Sequence, residues 1–146
     1  MLMEDLEDGL YRYRATCWKV VDGDTLDLDI DMGLRLFSRQ RVRLLGLNAA
    51  EIYGVKEETK EFSKALDAVR ELVRLLKPKR LGHGLERHIS PYLLEGEATH
   101  LWVETIKDKT GKYGRFLVNV WVWWNDEVLF LNKHLIDEGF AEKVIY

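Results

Sequence analysis

From Thr25 to Met32 the chain alternates without a break: Leu26, Leu28, Ile30 and Met32 fall on one side, Thr25, Asp27, Asp29 and Asp31 on the other. A period of two is that of a strand with one face buried and one in water. Asp22-Gly23-Asp24 immediately before it is a turn signal, and the stretch Tyr11 to Val21 before the turn is rich in aromatic and β-branched residues. Together they predict a β-hairpin over residues 11–32. Asp24 has the parity of the apolar set, so its side chain is expected to point toward the covered side.

A turn at Asp31-Met32-Gly33 leads to a third strand over roughly Arg39 to Leu47, followed by a loop from Asn48 to Gly54. Phe62, Leu66, Val69, Leu72, Val73 and Leu76 recur at helical spacing and predict a helix from Glu57 to Leu76, ended by Pro78. Strands over His100 to Ile106 and Arg115 to Trp124 flank a turn at Asp108 to Gly114, and a last helix spans Leu129 to Glu138, closed by Gly139. The order is β-β-β-α-β-β-α: three meandering strands, a helix, two more strands, a helix. That is the connectivity of a five-stranded OB-type barrel, a mixed α+β class. No repeat or linker divides residues 1–146, so a single domain is expected. Residues 79–98, with their glycines, Pro91 and a short apolar run at Tyr92 to Leu94, read as a surface insertion.

With 146 residues, 47% of them apolar, the chain is long enough to bury a core without staples. Cys17 is the only cysteine, which excludes an internal disulfide. Glu4, Asp5, Glu7 and Asp8 crowd the first eight residues, where a secretory leader would carry basic ones, and no long apolar run follows. A cytoplasmic protein with no membrane span is the expectation. The net charge of −3 is unlike that of a generic nucleic-acid binder. It is unevenly spread, however: between Arg70 and Arg87 stand six Lys or Arg against two acids.

Three short segments carry chemistry. Asp22-Gly23-Asp24-Thr25 brings two carboxylates together where a hard cation could sit, although Asp-Gly is also a common turn pair. In Val42-Arg43-Leu44-Leu45-Gly46-Leu47-Asn48-Ala49-Ala50-Glu51 an arginine lies inside an apolar strand and an acid follows the strand's exit. A covered guanidinium needs an anion, either a structural carboxylate or a phosphate. Lys109-Thr110-Gly111-Lys112-Tyr113-Gly114-Arg115 puts a second arginine at the start of a strand, beside Lys112 and Tyr113; by itself it is a solvated basic turn.

In combination and in this order the three segments resemble the staphylococcal nuclease (thermonuclease) family, over most of the chain from about Tyr11 onward apart from residues 79–98. The resemblance implies a Ca²⁺-dependent nuclease that hydrolyses DNA or RNA and leaves 3′-phosphates, with Mg²⁺ or another hard divalent ion as the alternative metal. It implies metal ligation by Asp24, by residue 48 and by the backbone carbonyl of Ala49. It assigns phosphate contacts to Arg43 and Arg115, the attacking water to Glu51, and substrate contacts to Lys112 and Tyr113.

Asn48 stands where the family has a second aspartate, Ala49 where it has threonine, and Ala50 where it has proline. An amide keeps an oxygen but loses the charge, so the metal should be held less tightly. The alternative is a weakly active or inactive nuclease-like module that binds nucleic acid or protein. His83, His88 and His100 with Cys17 lack the compact spacing of a zinc site. Trp121, Trp123 and Trp124 could stack on bases, but in an apolar strand Trp121 or Trp123 is expected in the core.

Overall fold

The computed structural model describes residues 1–110 and 115–145. A short helix α1 (Met3–Asp8) precedes β1 (Arg12–Val20), β2 (Thr25–Asp31), β3 (Phe37–Leu44) and β4 (Leu47–Ala49). Then come α2 (Lys60–Leu76), β5 (Arg80–Leu81), β6 (Leu101–Thr110), β7 (Phe116–Trp124), β8 (Glu127–Phe130), α3 (Leu131–Asp137) and β9 (Ala141–Lys143). The fold is mixed α+β, with a seven-stranded sheet and a separate pair of β4 with β9. Within the large sheet β1 pairs with β2, β2 with β3, β3 in parallel with β7, β7 with β6, and β6 again with β1. These five pairings form a ring-like circuit around the core. Among the described residues no helix is long and apolar enough to cross a membrane.

The alternation in β2 holds on its inner face, but the other face is not simply wet, since Thr25 and Asp27 are buried as well. Leu26, Leu28 and Ile30 are buried, while Asp27 and Asp29 lie directly across from Arg41 and Arg39 of β3 and pair with them. β7 repeats the pattern with Val118, Val120 and Val122 fully buried. Trp121 and Trp123, one of which was expected in the core, therefore both fall on the outer face, and Trp123 is 43% exposed. The apolar run hid this: every residue of it suits a strand, and the valines won the inner side because three small branched side chains fill it at close packing.

α2 buries Phe62, Leu66, Val69, Leu72, Val73 and Leu76, the residues that predicted it. It begins three residues later than its periodicity suggested, because the Thr59 hydroxyl accepts from the Phe62 amide and caps it there. Lys77, at φ 50°, ends it in the left-handed conformation before Pro78. Each fully buried aliphatic side chain here contributes roughly 1.5–3 kcal/mol. The 79–98 segment is not all surface: Leu85 and Ile89 join the core, and β5 adds to β1 in parallel. α1 was not foreseen. Asp5 accepts from the Leu2 amide to cap it, and it buries nothing.

One buried polar side chain holds the parallel junction. Asn132 on α3 is 4% exposed. Its Oδ1 accepts from the Val120 amide at 2.9 Å, and its Nδ2 donates to the carbonyls of Leu45 at 2.9 Å and Val118 at 3.1 Å. The chain leaving β3 is thereby tied to β7, which follows Arg115.

Candidate active site

The first site residue is placed by a close approach. A Cβ on Gly23 would lie 2.6 Å from the Ala49 Cβ and 2.9 Å from the Ala68 Cβ. Only glycine lets the Asp22-Gly23-Asp24 turn tuck between β4 and α2. The Asp24 carboxylate, 8% exposed, then accepts from three donors: the Thr25 hydroxyl on Oδ1 at 3.0 Å, and on Oδ2 the Ala49 amide at 3.0 Å and Arg43 Nη2 at 3.4 Å. The expected inward parity of Asp24 does not carry its side chain into the core. It turns instead toward Thr25 and Arg43, groups of the outer face.

The Asn48–Gly54 loop is corrected at its start. Asn48 and Ala49 belong to β4, where Asn48 faces Glu142 and Ala49 faces Ala141 of β9. A three-residue strand whose partner lies more than ninety residues away leaves no periodic trace. The pairing fixes Asn48 so that its Oδ1 accepts from Arg43 Nη2. Arg43 Nη2 thus reaches Asp24 and Asn48 together, while Arg43 Nε is buried with no hydrogen-bond partner among the described residues.

Arg115 joins through a residue that the sequence did not single out. Arg115 Nη1 donates at 3.0 Å to the hydroxyl of Thr25, which in turn donates to Asp24. Thr25 is fully buried and sits directly across from Arg43 in the β2–β3 register. Its place in Asp-Gly-Asp-Thr was the only available signal. Glu51 is exposed and lines a groove of about 280 Å³ with Asn48, Ala49, Glu61, Lys64 and Glu142. Hydrogen bonds therefore chain Ala49 to Asp24, Asp24 to Arg43 and Arg43 to Asn48, Arg115 is linked to them through the Thr25 hydroxyl, and Glu51 stands at the adjoining groove. Lys112 and Tyr113 lie outside the described residues.

The electrostatics centre on two carboxyls. The Asp24 amide donates to Asp22 Oδ1 at 3.1 Å, which folds Asp22 back over its neighbour. Burial first, and then the Asp24 carboxylate beside it, push the Asp22 carboxyl up to about 7. Two acids held this close take up either a proton or a cation. No family model matches the chain, and no curated protein matches it. Among the described residues no three His, Cys, Asp or Glu side chains come together as a metal cluster. The charged donors at this corner are the two aspartates alone, with oxygens from an amide and the backbone beside them.

Proposed function

We propose that the chain is a metal-dependent phosphodiesterase that cleaves single-stranded or melted DNA or RNA, with the ring of five strands as an OB-type barrel of the staphylococcal nuclease kind. The pairing order, with its one parallel contact between β3 and β7 and α2 between the third and fourth ring strands, supports the barrel reading. The observation that carries the function is the approach of two arginines to one buried carboxylate, Arg43 directly and Arg115 through the Thr25 hydroxyl, with Arg43 Nε covered and without a hydrogen-bond partner among the described residues.

A phosphodiester repels its nucleophile because it is an anion. Two guanidinium forks aimed at one place offset the charge that builds on the phosphoryl oxygens. Arg43 can turn its Nε and Nη edge to a phosphate at the end of β3, and Arg115 approaches the same corner from the start of β7. Thr25 positions Arg115, and Ala49 and Thr25 orient the Asp24 side chain by donating to it. Glu51, exposed at the groove beside Asn48, is the base that takes the proton of an attacking water.

Asp24, Asp22, the Asn48 side-chain oxygen and the Ala49 carbonyl would hold the metal. Oxygen donors alone suit Ca²⁺ or Mg²⁺, and the buried Asp22 carboxyl, raised by burial and by Asp24 beside it, fits a place where a cation belongs. When bound, such an ion supplies positive charge next to the scissile phosphate. One observation favours a second reading, a module that binds without cutting: Asn48 is neutral, and Arg43 already contacts both Asp24 and Asn48. Incubation with single-stranded DNA separates the two. Cleavage to 3′-phosphate ends with Ca²⁺, abolished by EDTA, is the expected result; no cleavage with Ca²⁺, Mg²⁺ or Mn²⁺ gives the site to the binding module.

A further inference from the structure

The outer face of β1, β6, β7 and β8 carries aromatic rings that the core does not use. The strand registers align Arg14 of β1 with Trp102 of β6, Trp102 with Trp121 of β7, and Trp121 with Phe130 of β8. Trp121 stacks on Phe130 at 5.2 Å between ring centroids and 20° between planes. Trp123, one row along, lies across from Val128, which is 58% exposed. Two surface grooves flank Trp102. One, of about 370 Å³, is lined by Arg14, His100, Trp102 and Trp123; the other, of about 320 Å³, by Arg12, Trp102, Trp121 and Val128.

We infer that this face is a docking surface for single-stranded nucleic acid, with bases stacking in the two grooves on either side of Trp102 and Arg12 and Arg14 meeting the phosphates. Aromatic rings interleaved with cations are what a strand needs when its sequence is not read, since every base has a π-face. Charge complementarity selects this occupant over an apolar one. Both grooves are edged on β1 by an arginine, and Arg12 and Arg14, two residues apart on one strand, are separated by about 7 Å. Arg14 is exposed and has no ion pair among the described residues. Arg12 stands 5.4 Å over the Trp121 ring and pairs with Glu104 at 2.9 Å. Glu104, the acid of this row, is also bonded by Asn119 at 3.1 Å, so its charge is occupied rather than aimed at the strand. The surface is separate from the Asp24–Arg43 corner: it uses none of that corner's residues.

The test reads binding in EDTA, so its outcome is independent of whether the chain cuts. Anisotropy of a labelled oligothymidylate is titrated with the parent, Trp123→Ala, Trp123→Phe, Arg14→Glu and, as a charge control off this face, Arg35→Glu. Trp123→Ala and Arg14→Glu are expected to weaken binding about tenfold each, with Trp123→Phe keeping most of the affinity and Arg35→Glu binding like the parent. The salt slope of Arg14→Glu should fall by roughly 0.7 or more. Unchanged affinity in Trp123→Ala and Arg14→Glu overturns the proposal. So does a parent that sediments as a dimer and becomes monomeric in these variants, which would make a second copy the occupant of this face.

Discussion

Three arginines sit at alternate positions along β3, and two of them behave differently from the third. Arg39 and Arg41 each face an aspartate directly across the β2–β3 ladder and close on it with two hydrogen bonds, at 2.7 and 3.1 Å for Arg39 and 2.8 and 3.1 Å for Arg41. Arg43 faces Thr25, reaches Asp24 through one nitrogen at 3.4 Å, and leaves Nε with no partner among the described residues. Yet the Arg43 side chain is 17% exposed against 49% for Arg41. The guanidinium is worst satisfied where burial makes poor satisfaction most costly. Packing alone would have placed an acid at residue 25. The difference is what motivates the proposal that Arg43, though it touches Asp24, has bonding capacity left for a phosphate.

The largest expected effect tests that contrast directly. Arg43→Ala should lower the rate of metal-dependent cleavage by about 10²-fold or more, as loss of an oxyanion donor does, while the urea midpoint stays or rises. Arg41→Ala should do the reverse: cleavage within a few-fold of the parent and a stability loss of about 1–3 kcal/mol, since it takes the arginine away from the buried Asp27 carboxylate. Equal cleavage by Arg43→Ala and Arg41→Ala would erase the distinction.

The next effect lies in what holds Arg43 and Arg115 near each other. Asn132→Ala removes the side-chain partner of the Val120 amide and of the Leu45 carbonyl, at a cost of about 1–3 kcal/mol for each group left bare, while the Val118 carbonyl keeps the Leu45 amide. Chemical unfolding measures it. Asn132→Ser, which keeps one acceptor, should recover part of the loss; if both variants are as stable as the parent, the junction is pinned by the ladder alone.

How much of this was legible in the sequence follows from distance along the chain. The β2 alternation, the α2 stripe and the Asp-Gly-Asp turn are local patterns, and their structures follow from local rules. Arg43 could be named as anion-seeking because it interrupts an apolar strand, whereas Arg115, by itself part of a solvated basic turn, was named through the family resemblance. Thr25 and Asn132 could not, because their roles depend on what the ring brings alongside: Arg115 is ninety positions from Thr25, and Leu45 is eighty-seven from Asn132. β4 escaped for the same reason, being made by β9. The rings of β7 were misplaced because the strand is apolar at every position but Asn119, a lone polar mark on the side shared by Trp121 and Trp123.

A third prediction uses the acids of the same strand. Asp27 is matched by an arginine, whereas Asp22 binds its proton more tightly folded than unfolded, its carboxyl rising from 3.8 to about 7 through burial and Asp24. That contribution to stability is full below pH 3.8 and is lost as pH rises through about 7. For one proton the slope is at most about 1.4 kcal/mol per pH unit. Glu71 acts oppositely: burial pushes its carboxyl up, but the bonds from Arg74 and His134 outweigh that and hold it below 4.5, so its contribution is lost in acid. In EDTA, Asp22→Asn should therefore gain on the parent as pH rises from 3.8 to about 7. Parallel stability curves for the two proteins would show that folding does not raise the Asp22 carboxyl.

The smallest effect probes whether Arg43 can be made into another Arg41. Asn48→Asp gives Arg43 a full carboxylate at the place where its Nη2 already touches the amide oxygen. Two consequences oppose each other. With Ca²⁺ present the new charge strengthens the donor set, and without it the same charge draws Arg43 closed, as Asp27 draws Arg41. The ion must then displace a charge-assisted bond. Crowding Asp24 with another carboxylate adds repulsion in the metal-free state, and that repulsion is relieved on binding. The net gain in Ca²⁺ affinity should be about tenfold, or roughly 1.4 kcal/mol. Calorimetric titration of both proteins measures it, and unfolding in EDTA measures the Arg43 pair. If Ca²⁺ binds both forms equally, residue 48 is not a ligand. If the variant is stabilised in EDTA but binds Ca²⁺ no better, the arginine wins the corner, and the neutral amide at 48 is what keeps Arg43 available.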